Sequence, residues 1–508
     1  MKKQLLLITG LAGLAVMAFG GGIVTNTNQS AAWVRTMVRD ASTDADAVYF
    51  NPAGLIRLED GFHFSLNSQT IFQNKDVTDN YQFLSPTPKK YHGVVTAPVF
   101  PGFYAAWKKD KLAVSFGFNP IGGGGGAEFK TGLPSFETPI SDLVPALSGS
   151  LAQLDAVLGQ DQPAGYGFDP NFSNITGYSA DIYFKGTSVF FGYQLGVTYK
   201  ISEMFGVFAG ARYVGAKNTY TGYIHDVQIQ AAPTPPPVPL YDVPAGSYKP
   251  GDYLRAVSTA AGLPQVAIDG LNQNAAMLDY ATADVDVDAE ETGHGITPIL
   301  GVNITLNENL NIGLKYEFRT KIDLKQSVID GKDGGGMFVQ DSTVHSDMPA
   351  MLSAGVRYRF IPKMAVSAGL HYYFDKDANY GKTSDATGEL VSNDQVIENN
   401  YYELALGLEY NITDKFLVSG GYLYAKTGVT EDYQSDLSFS LTSSSFGFGF
   451  GYKFTDHLMV NLGGSFTKYQ EGEKNYIHTM SIVGYDVPVK DTYYKDNLFF
   501  GIGLDFSF

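Results

Sequence analysis

Apolar and polar residues alternate with a period of two through long stretches of this chain. The pattern is clearest at 310–322, at 446–454 and at the C-terminus, 497–508. In the C-terminal stretch, the apolar positions of one face are Leu498, Phe500, Ile502, Leu504, Phe506 and Phe508. Because side chains of a β-strand point alternately to opposite faces, each stretch predicts a strand with one apolar face and one face of polar or small residues.

The length of these stretches separates two architectures that share the pattern: a soluble sandwich with an apolar core and a membrane barrel with an apolar outside. Sandwich strands are typically about 5–6 residues long. The alternations here persist for about 9–13 residues, which is enough to cross a bilayer at a tilt. The pattern therefore predicts an all-β fold, a transmembrane antiparallel β-barrel.

Fourteen such strands are predicted, and an even number is typical of bacterial outer-membrane barrels. They lie near 62–74, 98–108, 111–121, 181–200, 204–228, 283–306, 309–328, 342–361, 363–376, 396–412, 415–429, 437–454, 456–470 and 491–508. Tight turns are predicted at 108–111, 201–203, 307–309, 361–363, 412–414 and 455–456, and the other connections are longer. Because short turns face the periplasm in such barrels, we expect both chain ends on that side.

Residues 1–20 have the pattern of a secretory signal peptide. A basic pair, Lys2-Lys3, precedes an apolar run from Leu5 to Phe19, and small residues stand at the cleavage position. The alternative is a single N-terminal membrane helix, for which this run is too short and wrongly flanked. We expect the mature chain to begin near Gly21. No later stretch offers the roughly 18 consecutive apolar residues that a transmembrane helix needs.

Composition and charge narrow the function classes. The chain holds 57 Gly, 33 Tyr and 34 Phe in 508 residues, and only 17% of its residues are charged. Its net charge of −17 argues against a nucleic-acid partner, because phosphates need a basic surface. The absence of cysteine excludes disulfides and thiol chemistry.

Three regions break the period of two. The first is 21–60, which is rich in polar and small residues and contains the turn Asn51-Pro52-Ala53-Gly54. The other two are long loops at about 122–180 and 229–282, after which the strand pattern resumes. We therefore expect an N-terminal unit at 21–60, followed by a barrel at 61–508 with two long external loops.

Each long loop contains a predicted helix. Apolar residues at helical spacing are Leu147, Leu151, Leu154 and Leu158 in the first loop, and Val266, Leu271, Ala275 and Leu278 in the second. A proline-rich run at 232–239, expected to form polyproline II, precedes the second helix. Two interpretations stay open: the helices pack on each other as loop scaffolding, or their apolar faces form an external groove for a hydrophobic molecule.

The third predicted strand is interrupted. Asn119-Pro120-Ile121 is followed by five glycines, Gly122 to Gly126. Proline gives the sheet no N–H, and glycine weakens a strand. From the preceding tight turn, only about eight residues have passed, fewer than the 9–11 needed to cross a bilayer. Either the break lies within the barrel wall, or the strand ends early and a loop begins.

Together these features resemble the long-chain fatty acid transporter family of outer-membrane proteins (FadL and toluene-transporter-like). The resemblance rests on the signal peptide, the Asn51-Pro52-Ala53 segment, the interrupted third strand, the fourteen strands and the terminal Phe508. The final aromatic residue resembles the signal by which outer-membrane barrels are recognised for assembly. A long proline-rich loop and a strongly acidic character depart from the best-known members.

The resemblance implies a function and a set of sites. Residues 21–60 would form a hatch inside the barrel, with the turn Asn51, Pro52, Ala53 and Gly54 covering backbone groups freed at the break. A hydrophobic compound would be captured at Leu147, Leu151, Leu154, Leu158, Val266, Leu271 and Leu278. It would pass to a lumen pocket and leave sideways through a gate at Asn119, Pro120, Gly122 and Gly123.

Three cations on the lumen face are candidates for binding an anionic headgroup. Arg212, Lys315 and Arg357 each fall about five to nine residues from a periplasmic turn, so they are expected at similar depth in a strand-built wall. The alternative is that they pair with neighbours such as Glu317, because buried charges are usually paired.

An enzymatic function is not indicated. No Gly-x-Ser-x-Gly elbow occurs, and His371 is a lone histidine on the polar face of a strand. The run at 284–288 resembles the start of a calcium loop, yet Ala289 replaces the turn glycine and Gly295 stands where the last ligand should be. We expect no cofactor and no metal.

The sequence therefore predicts a monomeric outer-membrane transporter of a Gram-negative bacterium. Its expected partners are a hydrophobic small molecule or fatty acid and the surrounding outer-membrane lipid. A general or substrate-selective porin for small polar solutes is the competing function, and it would require an open lumen.

Overall fold

The computed structural model describes residues 23–160, 171–232, 243–260, 263–383, 390–480 and 484–508. The predicted signal peptide and nearly all of the predicted polyproline II run lie outside the described residues. The side chain of Leu158 also lies outside the described part of the chain.

Among the described residues, fourteen antiparallel strands form a closed wall, which confirms the predicted barrel. Their bounds are Gly61–Asp79, Lys89–Lys109, Leu112–Phe129, Ile175–Lys200, Phe205–Ala231, Val285–Asn307, Leu310–Glu317 continued by Asp323–Asp333, Thr343–His345 continued by Met351–Ile361, Met364–Tyr373, Tyr402–Asn411, Phe416–Lys426, Ser443–Thr455, Leu458–Tyr469 continued by Gly472–Met480, and Tyr485–Ser507. A short strand, Gly246–Tyr248, pairs with the end of the fifth strand. The first and last strands close the wall, with His63 opposite Ser507 and Asp79 opposite Asp491.

All six predicted tight turns are present, but several strands are longer than predicted. The second strand begins at Lys89, and the third continues through its glycines to Phe129. The long loops are consequently 130–174 and 232–284, which corrects the predicted 122–180 and 229–282. The reason is that the ladders continue beyond the bilayer, where outward residues become polar and the apolar period-two signal stops.

The helices lie in the loops and in the N-terminal segment. Those of the long loops are Pro134–Ser141, Leu143–Gln160, Pro250–Ser258 and Gln265–Ala281, so both predicted loop helices are confirmed. The N-terminal segment contains Ala31–Thr36, Ala47–Phe50 and the 3₁₀ helix Pro52–Arg57, and short turns of helix occur at Asp375–Asp377, Asn393–Val396 and Glu431–Tyr433. Within the described residues, no helix is both long and apolar enough to cross a membrane.

The wall is apolar outside and polar inside. On the first strand the outward residues Phe62, Leu66 and Phe72 are exposed, whereas the inward residues His63 and Gln69 are buried. This is the reverse of a soluble sandwich, because the surrounding lipid, and not the interior, takes up the apolar side chains.

The N-terminal residues 23–60, called the N-terminal segment below, pack against the wall around its whole circumference. Helix Ala31–Thr36 contacts the first and the tenth to fourteenth strands, and the 3₁₀ helix Pro52–Arg57 contacts the second to sixth. Asp40 lies against glycines of the seventh, eighth and ninth strands. Nearly every residue from 23 to 56 is buried.

Glycines of the wall make room for this segment. A Cβ atom at Gly313 would collide with the carbonyl oxygen of Asp40, and one at Gly421 would collide with that of Thr36. The inward-facing glycines therefore have a packing reason: the segment's backbone passes too close to the wall for any side chain.

Candidate functional site

Charged residues fasten the N-terminal segment to the wall. Arg35 donates to the Glu409 carboxylate at 2.9 Å. His371 of the ninth strand lies between two carboxylates, with Nε2 2.6 Å from Asp40 and Nδ1 2.7 Å from Glu403. All five groups are largely buried. The Arg35–Glu409 and His371–Asp40 contacts join the segment to the wall, and the His371–Glu403 contact joins two neighbouring wall strands.

The Asn51-Pro52-Ala53-Gly54 turn lies against the fourth and sixth strands. The Nδ2 of Asn51 donates to the Val302 carbonyl at 3.0 Å, and the hydroxyl of Thr198 donates to the Pro52 carbonyl at 2.8 Å. A Cβ atom at Gly54 would collide with the carbonyl oxygen of Ser42, so the turn also packs on its own segment. These bonds correct the expectation that the turn covers the break in the third strand.

The break itself lies between the second and third strands. In the described chain, their ladder pairs Val95 with Ala127 and next pairs Phe103 with Phe118, which leaves 96–102 and 119–126 unpaired with each other. On its other side, the third strand keeps an irregular ladder with the fourth. The interruption therefore lies within the wall, as the first of the two interpretations predicts.

Three prolines lie in the unpaired stretch: Pro98 and Pro101 on the second strand and Pro120 on the third. Each removes a backbone N–H that a continuous ladder would use. Of these three, only Pro120 was predicted from the sequence to interrupt a strand. Pro98 and Pro101, near the start of the predicted second strand, were the signal in the sequence that the second strand is interrupted at the same place.

The N-terminal segment satisfies backbone groups at the break. The backbone N–H of Asn26 donates to the Ile121 carbonyl at 2.8 Å, and its Nδ2 donates to the Gly123 carbonyl at 2.8 Å. The Nε2 of Gln29 donates to the Pro120 carbonyl at 2.9 Å. Carbonyls that the second strand leaves unpaired are thus bonded from inside the barrel.

Close contacts and backbone conformation explain why glycine stands at 122 and 123 and asparagine at 119. A Cβ atom at Gly122 would lie 2.5 Å from the carbonyl oxygen of Val24, and Gly123 has a φ of +79°. The left-handed conformation at Gly123 favours glycine. The Nδ2 of Asn119 donates to the Gln29 side chain at 2.7 Å. The predicted gate residues are therefore brought together, with residues 24–29 as their inner cover.

The predicted headgroup cations are all ion-paired. Glu317 is 2.6 Å from Arg212 and 2.6 Å from Lys315, and all three side chains are buried. Arg357 is 3.3 Å from Glu409. This is the pairing that the alternative interpretation named. A further anion would have to compete with carboxylates already in place, and removing one member of such a buried group costs about 3–5 kcal/mol of stability.

Most of the predicted apolar residues of the loop helices are buried or half-buried. Leu147 and Leu151 are buried, and Leu154, Leu271 and Leu278 are half-buried against the main hydrophobic cluster. Val266 is 84% exposed. The two loops meet at Phe172, whose backbone N–H donates to Asp155 at 3.0 Å and whose carbonyl accepts from Tyr253 at 2.7 Å. The burial agrees with loop scaffolding, and an open apolar groove would require these residues to separate.

A cavity of about 180 Å³ lies at the periplasmic end, between helix Ala31–Thr36 and the turn at 456–457. Its lining includes Arg39, Asp44 and His63. Within the described residues, no group of three or more histidine or acidic side chains is placed to hold a metal ion. The cavity lies at the end of the lumen opposite the loops. A cargo that passed straight through the barrel would leave into the periplasm at this end.

Comparisons with known proteins agree with this architecture. The chain is similar in structure to a Pseudomonas aeruginosa FadL homologue, with 14% identity over 96% of this chain and 100% of that one and a TM-score of 0.59. It is also similar to the Pseudomonas putida toluene transporter TodX, with 13% identity over 96% and 100% of the two chains and a TM-score of 0.52. Among curated proteins, none matches the chain.

At 13–14% sequence identity, the solved structures establish only the fold. Membership in a protein family is shown by the match to a family model. The model for outer membrane protein transport proteins (OMPP1/FadL/TodX) matches residues 155–508. That range covers most of the wall. Proteins of this family are β-barrels of the Gram-negative outer membrane. The chain therefore belongs to the outer membrane protein transport protein family (OMPP1/FadL/TodX).

Proposed function

We propose that this protein carries hydrophobic compounds, long-chain fatty acids or similar molecules, across the outer membrane and releases them sideways into the bilayer. The observation that carries the proposal is the break between the second and third strands, where 96–102 and 119–126 do not pair. A continuous barrel offers no such opening, because every ladder bond in its wall is made.

Lateral release has a physical advantage for an apolar cargo. A compound that left the barrel into periplasmic water would expose its apolar surface at a cost of about 25 cal/mol per Å². Release into lipid avoids that cost. The unpaired wall backbone that this route needs is tolerated at membrane depth only where other groups satisfy it. Asn26 and Gln29 do so at Ile121, Gly123 and Pro120.

In this proposal the N-terminal segment is a hatch that blocks the lumen. Its burial and its contacts with every side of the wall support that role. A general porin needs an open polar lumen, and the buried residues 23–56 occupy the space that ions would use. The hatch also lies between the loop end of the lumen and the periplasmic cavity, so a cargo that enters from outside can reach the break without passing the whole hatch.

Capture takes place at the external loops. Exposed Val266 and half-buried Leu154, Leu271 and Leu278 supply the first apolar contacts. Leu147 and Leu151 are reached only if the loop helices separate. Hydrophobic capture therefore couples to movement of the loops, and the cargo replaces contacts that the helices make with each other.

The function is tested in cells that lack other outer-membrane routes for hydrophobic compounds. We expect the protein to restore uptake of a radiolabelled long-chain fatty acid or an aromatic hydrocarbon, and to leave uptake of a small sugar unchanged. Purified protein should give almost no current in a planar bilayer. Restored sugar uptake with a large steady current, and no gain in hydrophobic uptake, would identify a porin instead.

A further inference from the structure

Two buried carboxylates face each other at the seam, where the first and last strands close the barrel. Asp79 is the last residue of the first strand and lies directly opposite Asp491 of the last strand in the ladder. They are 0% and 5% exposed, respectively. Like charges placed directly opposite each other on one face of a sheet are destabilising, so two ionised groups here would oppose closure of the seam.

These two residues, called the seam carboxylates below, lie outside the membrane. Toward the loops, the outward apolar residues of the two strands give way to polar ones after Phe72 and Leu498. The next outward residues, Asn74 and Asp496, are hydrogen-bonded to each other at 3.0 Å. Because Asp79 lies further along the first strand than Asn74, the pair belongs to the part of the seam that stands among the external loops.

The hydrogen bonds of the seam carboxylates come from neutral groups in the described part of the chain. Asp79 accepts from the backbone N–H of Tyr81 at 2.6 Å and from the hydroxyl of Thr138 at 3.3 Å. Oδ2 of Asp491 accepts from the hydroxyl of Tyr493 at 3.1 Å, whereas its Oδ1 is buried without a hydrogen-bond partner. A buried carboxylate that is paired with no cation is costly to ionise.

The lysines next to the seam carboxylates bond other groups. Lys89 is the neighbour of Asp79 on the second strand, and its Nζ is 2.6 Å from the Glu137 carboxylate. Lys474 is the neighbour of Asp491 on the continuation of the thirteenth strand. Its Nζ donates at 2.9 Å to a backbone carbonyl of the external loop at 427–442. Neither ammonium group is within ion-pair distance of the seam carboxylate beside it.

The loop at 427–442 brings a third carboxylate to the seam. Asp436 of this loop raises the pKa of both seam carboxylates. Two lysines, Lys75 and Lys495, lie deeper on the same two strands and are opposed to each other there. The Nζ of Lys75 donates to the carbonyl of Leu437 at 2.8 Å, so it also bonds the loop and not the seam carboxylates.

These surroundings favour the protonated form of the pair. Burial raises the pKa of Asp491 to about 8, the charges of Asp79 and Asp436 raise it further, and Lys474 lowers it by less. Burial also raises the pKa of Asp79 to about 6, while His478 is among the groups that lower it. Two carboxylates that share one buried place titrate as a pair and retain one proton between them at neutral pH.

Helix Pro134–Ser141 of the first external loop, called the cap helix below, is docked on this part of the seam. Its Thr138 hydroxyl bonds Asp79, and the Ser135 backbone N–H near its beginning bonds the Asp436 carboxylate at 2.8 Å. The helix thus contacts one seam carboxylate directly and a second carboxylate that acts on both of them.

The end of the cap helix is fixed to the same side of the barrel. Asp142, the residue after the helix, accepts a hydrogen bond from the Tyr81 hydroxyl, and the Nε2 of His478 lies 2.8 Å from its other carboxylate oxygen. Phe136 and Ile140 of the helix are buried. The docked helix therefore helps to keep water from the seam carboxylates, and its departure would hydrate them.

We propose that the seam carboxylates share one proton while the cap helix is docked, and that loss of this proton releases the helix from the seam. Two unshared negative charges in a place without water repel each other strongly. When the helix lifts, water solvates both carboxylates and the repulsion falls. This inference goes beyond the proposed function, because it concerns when the first external loop is closed and not what the loop binds.

The direction of the pH effect follows from proton linkage. A carboxyl group whose pKa is raised in the docked form holds its proton more tightly there than in the open form, where water solvates it and its pKa is about 3.9. Docking is therefore strongest below about pH 4. It weakens as the pH rises towards about 8, the pKa of Asp491 in the docked form, and stays level at higher pH.

Hydrogen exchange of the full purified chain in mild detergent, without cargo, measures the docking. The rates are corrected for the intrinsic pH dependence of amide exchange. We then expect the backbone amides of the cap helix to exchange at least about tenfold faster at pH 8 than at pH 5, because each pKa unit of difference between the two forms changes the opening equilibrium tenfold. Corrected rates in the tenth strand, Tyr402–Asn411, should stay level.

Variants identify the groups that carry the pH effect. Asp491→Asn keeps the shape and the acceptor for Tyr493 but cannot ionise, so most of the tenfold rise should be lost. Asp491→Asn combined with Asp79→Asn should make the corrected rates at pH 5 and pH 8 equal within about twofold. Asp496→Asn changes an outward carboxylate of the same strand and should keep the wild-type rise. His478→Gln removes the neighbouring imidazole and should also keep the rise.

Three outcomes would overturn the inference. Wild-type rates that are level from pH 5 to pH 8 would show that no proton controls the cap helix. A wild-type rise in the double asparagine variant would assign the effect to another group, as would loss of the rise in His478→Gln. The heat-dependent shift on a denaturing gel verifies a folded barrel, and if the double variant does not fold, a full rise in Asp491→Asn alone contradicts the proposal. Hydrophobic uptake is measured separately and stands or falls on its own.

Discussion

Deletion of residues 31–60 should convert an almost non-conducting barrel into an open pore. The expected gain in single-channel conductance is large, because residues 31–60 contact strands on every side of the wall and only the short stretch 23–30 would remain inside the barrel. The barrel should survive the deletion. Its ladder closes between the first and last strands without help from the segment, and Glu403 and Glu409 would then face water and not a dry interior.

The measurement is conductance in a planar bilayer, with the heat-dependent gel shift as the folding control. Unchanged conductance of a folded deletion variant would contradict the hatch. A tethered variant gives a matched comparison. A Cβ atom at Gly501 would lie 3.5 Å from the Cβ of Ala31, which is within the range of a disulfide.

Ala31→Cys combined with Gly501→Cys therefore fastens the hatch to the last strand, and the chain has no other cysteine. The oxidised protein should remain non-conducting and should take up hydrophobic compounds at the rate of the reduced protein. The reason is that residues 24–29, which cover the break, lie on the N-terminal side of the tether and can move while Ala31 stays fixed to the wall. Uptake that stops on oxidation would show that the hatch must also move at Ala31.

Blocking the break from the lipid side should abolish hydrophobic uptake. Val99 lies between Pro98 and Pro101 in the unpaired part of the second strand and is 66% exposed. A Val99→Cys variant labelled with a bulky lipophilic maleimide would place the label across the opening. Valine at Gly122 or Gly123 is a poorer test, because the new side chains would collide with the backbone carbonyl oxygens of Val24 and Ser188, respectively.

The matched control is Leu406→Cys. Leu406 is 58% exposed on the outer face of the tenth strand, in a part of the wall with a regular ladder. The same label there should leave uptake at the unlabelled rate. Equal uptake by both labelled variants, at equal surface expression, would rule out passage through the break.

The fold followed from the sequence because lipid imposes a simple rule. Outward residues such as Phe448 and Ile502 must be apolar, while inward ones face a packed, polar lumen, so the period of two identifies each strand. The rule weakens beyond the bilayer. That is why the extension of the second strand to Lys89 and of the third to Phe129 was missed.

The sites were harder to predict because they depend on contacts between distant residues. Nothing local to Lys315 shows that Arg212 shares its carboxylate, and nothing local to Asn26 shows that it bonds Ile121 and Gly123.

The central claim is that cargo leaves through the break and not through the periplasmic end. Photo-crosslinking tests it most directly. Cells making the wild-type protein would be given a fatty acid with a diazirine at its hydrocarbon end, irradiated during uptake, and the modified residues mapped by mass spectrometry. We predict adducts within 96–102 and 119–126. Adducts that spare both stretches and instead mark the lining of the periplasmic cavity, at Arg39, Asp44 or His63, would contradict the account.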